Sequence, residues 1–150
     1  MMRDGAKTAS FRCLVEAFRE RPNGWFHSLI AGDGPTWTEI EAYFADDPRT
    51  IFLGLCSARQ LADVSAAADI FVWPAIRDGY GMALLEAKAA RLKIVAGYTL
   101  GVATIISDGE TSILRPQGDG QSFAAAVHRL LHDAQMRETM DDAANRNALQ

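Results

Sequence analysis

The chain has 150 residues, of which 49% are hydrophobic, so it is the size of one domain, taken here as residues 1–150. Its 15 Lys and Arg residues against 19 Asp and Glu residues give a formal net charge of -4 without a basic run, which argues against a nucleic-acid partner. The sequence contains neither a signal peptide nor an apolar run of about 18 residues, so we expect a cytoplasmic protein with no transmembrane segment.

The first third of the chain predicts a helix, a strand and a second helix. Apolar residues at helical spacing predict a first helix over residues 10–21, and they are Phe11, Leu14, Val15 and Phe18. The apolar run 25–31 stops at a glycine-rich turn and predicts a buried strand. Thr36 and Thr38 are each followed three residues later by Glu, a capping-box pattern that predicts the start of the second helix.

The same alternation of strands and helices continues to the end of the chain. Strands are expected at 50–54, 69–75, 93–97 and 112–116, and helices at 58–68, 81–90, 102–106, 122–133 and 135–145. Strands that alternate with helices across short loops predict an α/β fold with a doubly wound parallel sheet covered on both faces. Such sheets bind ligands at the carboxyl ends of their strands, so the loops after the strands should line one crevice.

The segment RDGYGMALLEAKAA, residues 77–90, follows one predicted strand and opens a helix. Free N–H groups at a helix start attract anions, and Gly79 and Gly81 let a phosphate approach the backbone. Glu86, about one turn further on, could accept hydrogen bonds from the two hydroxyls of a ribose. The plainer alternative is that the glycines form a turn, Asp78 caps the helix and Glu86 is a solvated helix residue.

Several segments together carry a family resemblance. In chain order they are AGDGP, FLG, ADIFVWPA, DGYGMALLEAKAA, IVAG and DGETSILRPQGD. In this order they resemble the donor-binding half of retaining glycosyltransferases of the GT-B fold, family four. The resemblance implies a Rossmann-like domain that binds a nucleoside-diphosphate sugar and takes part in retaining hexosyl transfer to an acceptor hydroxyl.

The resemblance also implies roles for individual residues. Asp78 and Glu86 correspond to the family's two carboxylates, with Asp in place of the usual first Glu; the first contacts the donor sugar and the second binds the ribose. The remaining substrate-binding candidates are the backbone of Gly79, Tyr80, Gly81 and Met82 for sugar and phosphate, Arg3 and Lys7 for the diphosphate, and Gly32 and Gly54 for the border of the base. Two cations on the diphosphate would stabilise the leaving group, and there is no Asp-x-Asp motif, so neither a metal nor a cofactor is expected.

The sequence departs from the family pattern at Arg91, Lys93 and Ser112. An Arg where a left-handed helix cap prefers Gly costs about 1 kcal/mol. The family's acceptor-binding half would lie before Met1 or be a separate domain or subunit, and the first strand of the donor half is expected to be truncated, which leaves open sheet edges. A non-catalytic nucleotide-binding module or an inactive remnant is therefore the alternative function.

Overall fold

The computed structural model describes residues 5–20, 25–77 and 81–148. Within these ranges the chain alternates helices and strands as predicted. The strands are β1 (Ser28–Ala31), β2 (Thr50–Gly54), β3 (Ile70–Trp73), β4 (Lys93–Gly97) and β5 (Ser112–Arg115). The helices are α1 (Ala6–Arg19), α2 (Trp37–Tyr43), α3 (Ala58–Ala67), α4 (Met82–Ala89), α5 (Leu100–Ile105), α6 (Gly120–His132) and α7 (Ala134–Ala148).

The predicted capping boxes at the start of α2 are wrong in detail. Thr36 is the N-cap residue, but its side chain makes no capping hydrogen bond, and its hydroxyl is buried without a partner among the described residues. The reason is the backbone at Thr36, whose φ of -98° and ψ of 12° lie outside the extended region that turns a capping side chain toward the helix.

All strand pairs in the described residues are parallel, and they form two sheets, β1–β2 and β3–β4–β5. Among the described residues, these sheets correspond to strands 2–3 and 4–6 of a doubly wound sheet of order 3-2-1-4-5-6, and no described strand occupies the position of strand 1. The α/β fold class is therefore confirmed, and the break falls between β1 and β3, where the sequence predicts the truncated strand.

Helix α1 packs against both sheets and shows that their strands run in the same direction. Near the start of α1, Phe11 contacts Trp73 at the end of β3, with ring centroids 5.4 Å apart. Near the end of α1, Phe18 contacts Phe26, just before β1, at 4.9 Å. Both β1 and β3 thus run opposite to α1, and the carboxyl ends of all the strands lie at one edge.

Two hydrophobic cores lie on the two faces of β3–β4–β5. One core joins this sheet to α1, α2 and α6, and it includes the buried residues Leu14, Val95 and Leu130. The other lies under α4 and α5, around Leu84 and Ile94. In the part of the chain that the structure describes, no helix is both long enough and apolar enough to cross a bilayer.

The end of α4 confirms the left-handed cap predicted at Arg91, whose φ is 59°. The amide of Arg91 donates to the carbonyl of Lys88, and the amide of Leu92 donates to the carbonyl of Ala87, both at 3.0 Å, which is the Schellman arrangement. The Arg91 guanidinium also donates to the Asn145 side chain at 3.1 Å. This turn leads the chain from α4 directly into β4.

A half-buried ion pair before β2 predicts a pH-dependent stability. Arg49 donates to both carboxylate oxygens of Asp47, at 2.7 and 2.6 Å, and these bonds lower the pKa of Asp47 although burial opposes the shift. A carboxylate with a lowered pKa in the folded state stabilises it above its ordinary pKa, and this stability is lost as the pH falls through the lowered value. We therefore expect Asp47→Asn to reduce the free energy of unfolding by about 2 kcal/mol at pH 7.

Urea denaturation at pH 7 and at pH 3 measures this effect. The difference between Asp47→Asn and the wild type should shrink at the lower pH, where protonation of the wild-type Asp47 removes the charge that Asn lacks at every pH. The neighbouring Asp46 is exposed, so Asp46→Asn is the matched control and should change stability by no more than about 0.5 kcal/mol. An equal loss for Asp47→Asn at both pH values would contradict the role of the charge.

Candidate functional site

The carboxyl edge of the sheets is the edge at which the sequence predicts a binding crevice. Strands β1 to β5 end there at Ala31, Gly54, Trp73, Gly97 and Arg115. Backbone hydrogen bonds tie neighbouring strand ends together, from the Gly32 amide to the Gly54 carbonyl at 2.9 Å and from the Tyr98 amide to the Arg115 carbonyl at 2.7 Å. The chain just after β1 is therefore tied to the end of β2, and the chain just after β4 is tied to the end of β5.

Gly32 and Gly54, both predicted to border a base, are brought together by that hydrogen bond. Their φ angles are 141° and 71°, a region that L side chains rarely adopt. A Cβ built on Gly54 would have nothing within 4 Å. The surface at Gly54 is therefore open, and glycine is required there by the backbone angle and not by crowding.

The start of α4 offers free backbone donors at the same edge. Gly81 is the N-cap and has no side chain to accept from the first N–H groups of the helix, and the first turn contains no acidic residue. Met82, the first residue of α4, is 66% exposed. The partial positive charge of this helix end is therefore left uncompensated by α4 itself.

Gly81 is not required by its own backbone conformation. Its φ of -105° and ψ of 112° are open to any residue, and a Cβ there would make only ordinary contacts with Leu84, the nearest at 3.7 Å. The conformation of Gly81 therefore does not explain why glycine stands at this position. The sequence interpretation, in which glycine lets a phosphate come close to the backbone, stays a prediction.

Glu86 lies on the exposed face of α4, one turn after Met82. The opposite face is fixed to the core through the buried residues Leu84 and Ala87 and through Lys88, whose ammonium donates to the Ile105 carbonyl at 2.6 Å. Among the described residues, no hydrogen bond or ion pair involves the Glu86 carboxylate. Because helical side chains lean toward the N-terminus, we expect this carboxylate to extend toward the start of α4.

Lys7 lies in the first turn of α1, at the same edge. The amide of Ile76, in the loop after β3, donates to the hydroxyl of Ser10 at 3.0 Å, which brings the start of α1 beside that loop. The first turn of α1 also lacks acidic residues. The structure thus brings Lys7 and the starts of α1 and α4 to one edge. Of the other predicted site residues, Arg3, Asp78, Gly79 and Tyr80 lie outside the described residues.

Ser10 and Gln117 are two polar residues at this edge that the sequence analysis did not select. Ser10 is fully buried, and the Gln117 side-chain amide donates to the carbonyl of Ala75 at 2.5 Å. The sequence feature that could have identified Ser10 is its hydroxyl, which lies directly beside the apolar face of the first predicted helix. Gln117, in a turn after a strand, has no distinguishing pattern.

Two cavities among the described residues open at the amino edge, away from the predicted crevice. One, of about 190 Å³, is lined by Arg19, Asp47 and Arg49, and the other, of about 320 Å³, by Glu110, Arg129 and Asp133. Within the ranges that the structure describes, no group of three or more His, Cys, Asp or Glu residues could hold a metal ion. At the carboxyl edge, in contrast, the described residues Leu55, Met82 and Leu100 are largely exposed.

The comparisons with known proteins agree on one family. Residues 6–133 match the family model described as glycosyl transferases group 1. The chain is 33% identical over 116 residues to sulfoquinovosyl transferase SQD2 of Arabidopsis thaliana, an alignment that covers 75% of this chain. The chain spans only 22% of the length of that relative.

Two solved structures have the same fold. The C-terminal domain of a glycosyl transferase group 1 family protein from Francisella tularensis superposes with a TM-score of 0.77 at 20% identity, over 99% of this chain and 80% of that chain. An Anabaena protein in complex with UDP-glucose superposes with a TM-score of 0.75 at 21% identity, over 91% of this chain and 39% of that chain. The chain therefore belongs to the glycosyl transferases group 1 family, and its fold is the Rossmann-like C-terminal half of the GT-B architecture.

Proposed function

We propose that this chain is the donor-binding domain of a retaining glycosyltransferase that moves a hexose from a nucleoside diphosphate to an acceptor hydroxyl. The observation that carries the proposal is the placement of Glu86, an exposed carboxylate without a partner among the described residues, one turn behind an uncapped helix start. Family membership supports the chemistry, and the Anabaena neighbour, whose complex contains UDP-glucose, supports UDP as the first nucleotide to test.

The proposed site has three parts along the carboxyl edge. Glu86 accepts hydrogen bonds from the ribose hydroxyls, and the backbone of residues 79–82 receives sugar and phosphate. Lys7 and Arg3 neutralise the diphosphate, while Gly32 and Gly54 leave open surface for the base. Asp78 contacts the donor sugar.

The exposed residues Leu55, Met82 and Leu100 at this edge suit one half of a two-part site. Transfer requires that the donor carbon and the acceptor hydroxyl are held together away from water, which an open surface does not achieve. We therefore propose that an acceptor-binding domain or subunit covers the carboxyl edge. The contribution of this chain is to orient the donor and to stabilise the negative charge on the departing diphosphate.

The break between β1 and β3 favours a second candidate. Among the described residues, no strand pairs with the facing edges of β1 and β3. Unpaired backbone groups at such edges destabilise a sheet, so the second candidate is a non-catalytic nucleotide-binding module or an inactive remnant. Both candidates bind nucleotide, and only the first transfers sugar.

Nucleotide binding is expected not to need a divalent ion, because cationic side chains and helix N–H groups neutralise the diphosphate. Calorimetric titration of the chain with UDP, and in separate arms with GDP and ADP, should give the same affinity with EDTA as with Mg²⁺. A collapse of affinity on chelation would show that a metal belongs to the site. The absence of binding by all three nucleotides would overturn the proposed function.

A further inference from the structure

The loop after β3, residues 74–77, is held in a strained conformation from three sides. Two of its residues that are not glycine have positive φ angles, 54° at Ala75 and 53° at Arg77. Such angles cost free energy and persist only where the surroundings fix them. The loop precedes α4 in the chain and leaves the sheet at the carboxyl end of β3, the edge at which α4 starts.

The contact with α1 is a part-buried hydrogen bond. Ser10 is fully buried, and its hydroxyl accepts from the Ile76 amide at 3.0 Å. Without this partner the Ile76 amide would lose its hydrogen bond at a partly buried position, so the hydroxyl favours one position of the loop.

The other two contacts involve the next two strands of the sheet. Gln117, two residues after β5, donates from its side-chain amide to the carbonyl of Ala75 at 2.5 Å. The Pro74 carbonyl packs against the backbone of Gly97 at the end of β4, where a Cβ would lie only 1.7 Å from the carbonyl oxygen. Glycine at 97 therefore leaves the space that the loop occupies. We refer to Ser10, Gly97 and Gln117 as the loop clamp.

We propose that the loop clamp is a set of positioning residues for donor binding, which holds the loop after β3 in the conformation that lets the nucleotide reach the start of α4 and Glu86. This inference rests on the proposed function. No member of the clamp is proposed to touch the donor. Each acts through the loop, in which Ala75 and Arg77 have positive φ angles.

Weakening the loop clamp should lower the affinity for nucleotide by more than the accompanying loss of folding stability would cause. If the loop then occupies its binding conformation about one tenth of the time, the apparent dissociation constant for UDP rises about ten-fold. We expect this for Ser10→Ala. Gln117→Glu should also raise the apparent dissociation constant for UDP, because the new carboxylate cannot donate to the Ala75 carbonyl.

Matched controls separate positioning from general stability. Ser112 is also fully buried, and its hydroxyl donates to the Ser107 carbonyl, but it lies at the start of β5, at the amino edge. Ser112→Ala should therefore reduce thermal stability as Ser10→Ala does and leave the affinity for UDP unchanged. Gln121→Glu, at an exposed position on α6, repeats the charge change of Gln117→Glu without the contact to the loop.

The experiment combines UDP calorimetry with amide hydrogen exchange of the protein alone. The Ile76 amide should be protected in the wild type and exchange at least about ten-fold faster in Ser10→Ala, but not in Ser112→Ala. Wild-type affinity in both clamp variants, or an unprotected Ile76 amide in the wild type, would overturn the positioning role. If the wild type itself does not bind UDP, the proposed function fails, and with it the role of the clamp in donor binding.

Discussion

Glu86→Ala is expected to weaken UDP binding about ten-fold or more, measured by calorimetry at fixed ionic strength. The wild-type carboxylate accepts hydrogen bonds from two ribose hydroxyls, and a hydrogen bond to a charged group contributes about 1.5 to 3 kcal/mol. Even one such bond accounts for a ten-fold change, since 1.4 kcal/mol corresponds to about a factor of ten. Glu86 is exposed and makes no hydrogen bond or ion pair with the described residues, so the variant should fold normally.

Two further variants make this result specific. Glu86→Gln keeps one acceptor oxygen but loses the charge, so its affinity should lie between those of the wild type and Glu86→Ala. Glu138→Ala removes an equally exposed helical carboxylate on α7 and should leave UDP binding unchanged. Unchanged affinity in a folded Glu86→Ala variant would remove the ribose role from Glu86.

Sugar transfer is expected to be absent with the 150-residue chain alone and to appear when an acceptor-binding domain is fused before Met1 together with a strand that fits between β1 and β3. Positioning of two reactants can account for about 7 to 11 kcal/mol of a barrier, and the open carboxyl edge positions only one of them. The assay measures transfer of labelled sugar from UDP-glucose to a mixed pool of acceptors.

The fused protein with Glu86→Ala is the control, and it should transfer sugar much more slowly at the same low donor concentration. Robust turnover by the 150-residue chain alone would contradict the two-part site. A fused protein that binds UDP and transfers no sugar would favour the non-catalytic module over the enzyme.

Most of the fold could be predicted from the sequence because its signals are local. The apolar spacing of Phe11, Leu14, Val15 and Phe18 and the strand-like run at 93–97 reflect burial in α1 and β4, and the structure contains both. Even the left-handed turn at Arg91 was predictable, because a helix that returns directly into a strand needs such a cap. The capping box at Thr36 was not, since it depends on a backbone angle that the surrounding turn imposes.

The candidate site could be predicted only where its residues lie close together in the sequence. Glu86 and the start of α4 follow from one segment of sequence; the structure confirms the helix and leaves Glu86 exposed, while its binding role stays a prediction. Ser10 and Gln117 meet the loop after β3 from positions 66 and 42 residues distant in the chain. No local pattern marks such contacts, because they arise from how α1 and the turn after β5 pack in three dimensions.

The central claim is that a nucleoside diphosphate binds at the carboxyl edge of this sheet, and amide chemical shifts of the isotope-labelled chain during a UDP titration test it most directly. We predict that the largest changes occur at Gly32, Gly54 and Met82 and around Glu86, with the residues of the amino edge unmoved. Changes concentrated at the amino-edge cavity around Glu110 and Arg129, or no changes at saturating UDP, would contradict the account.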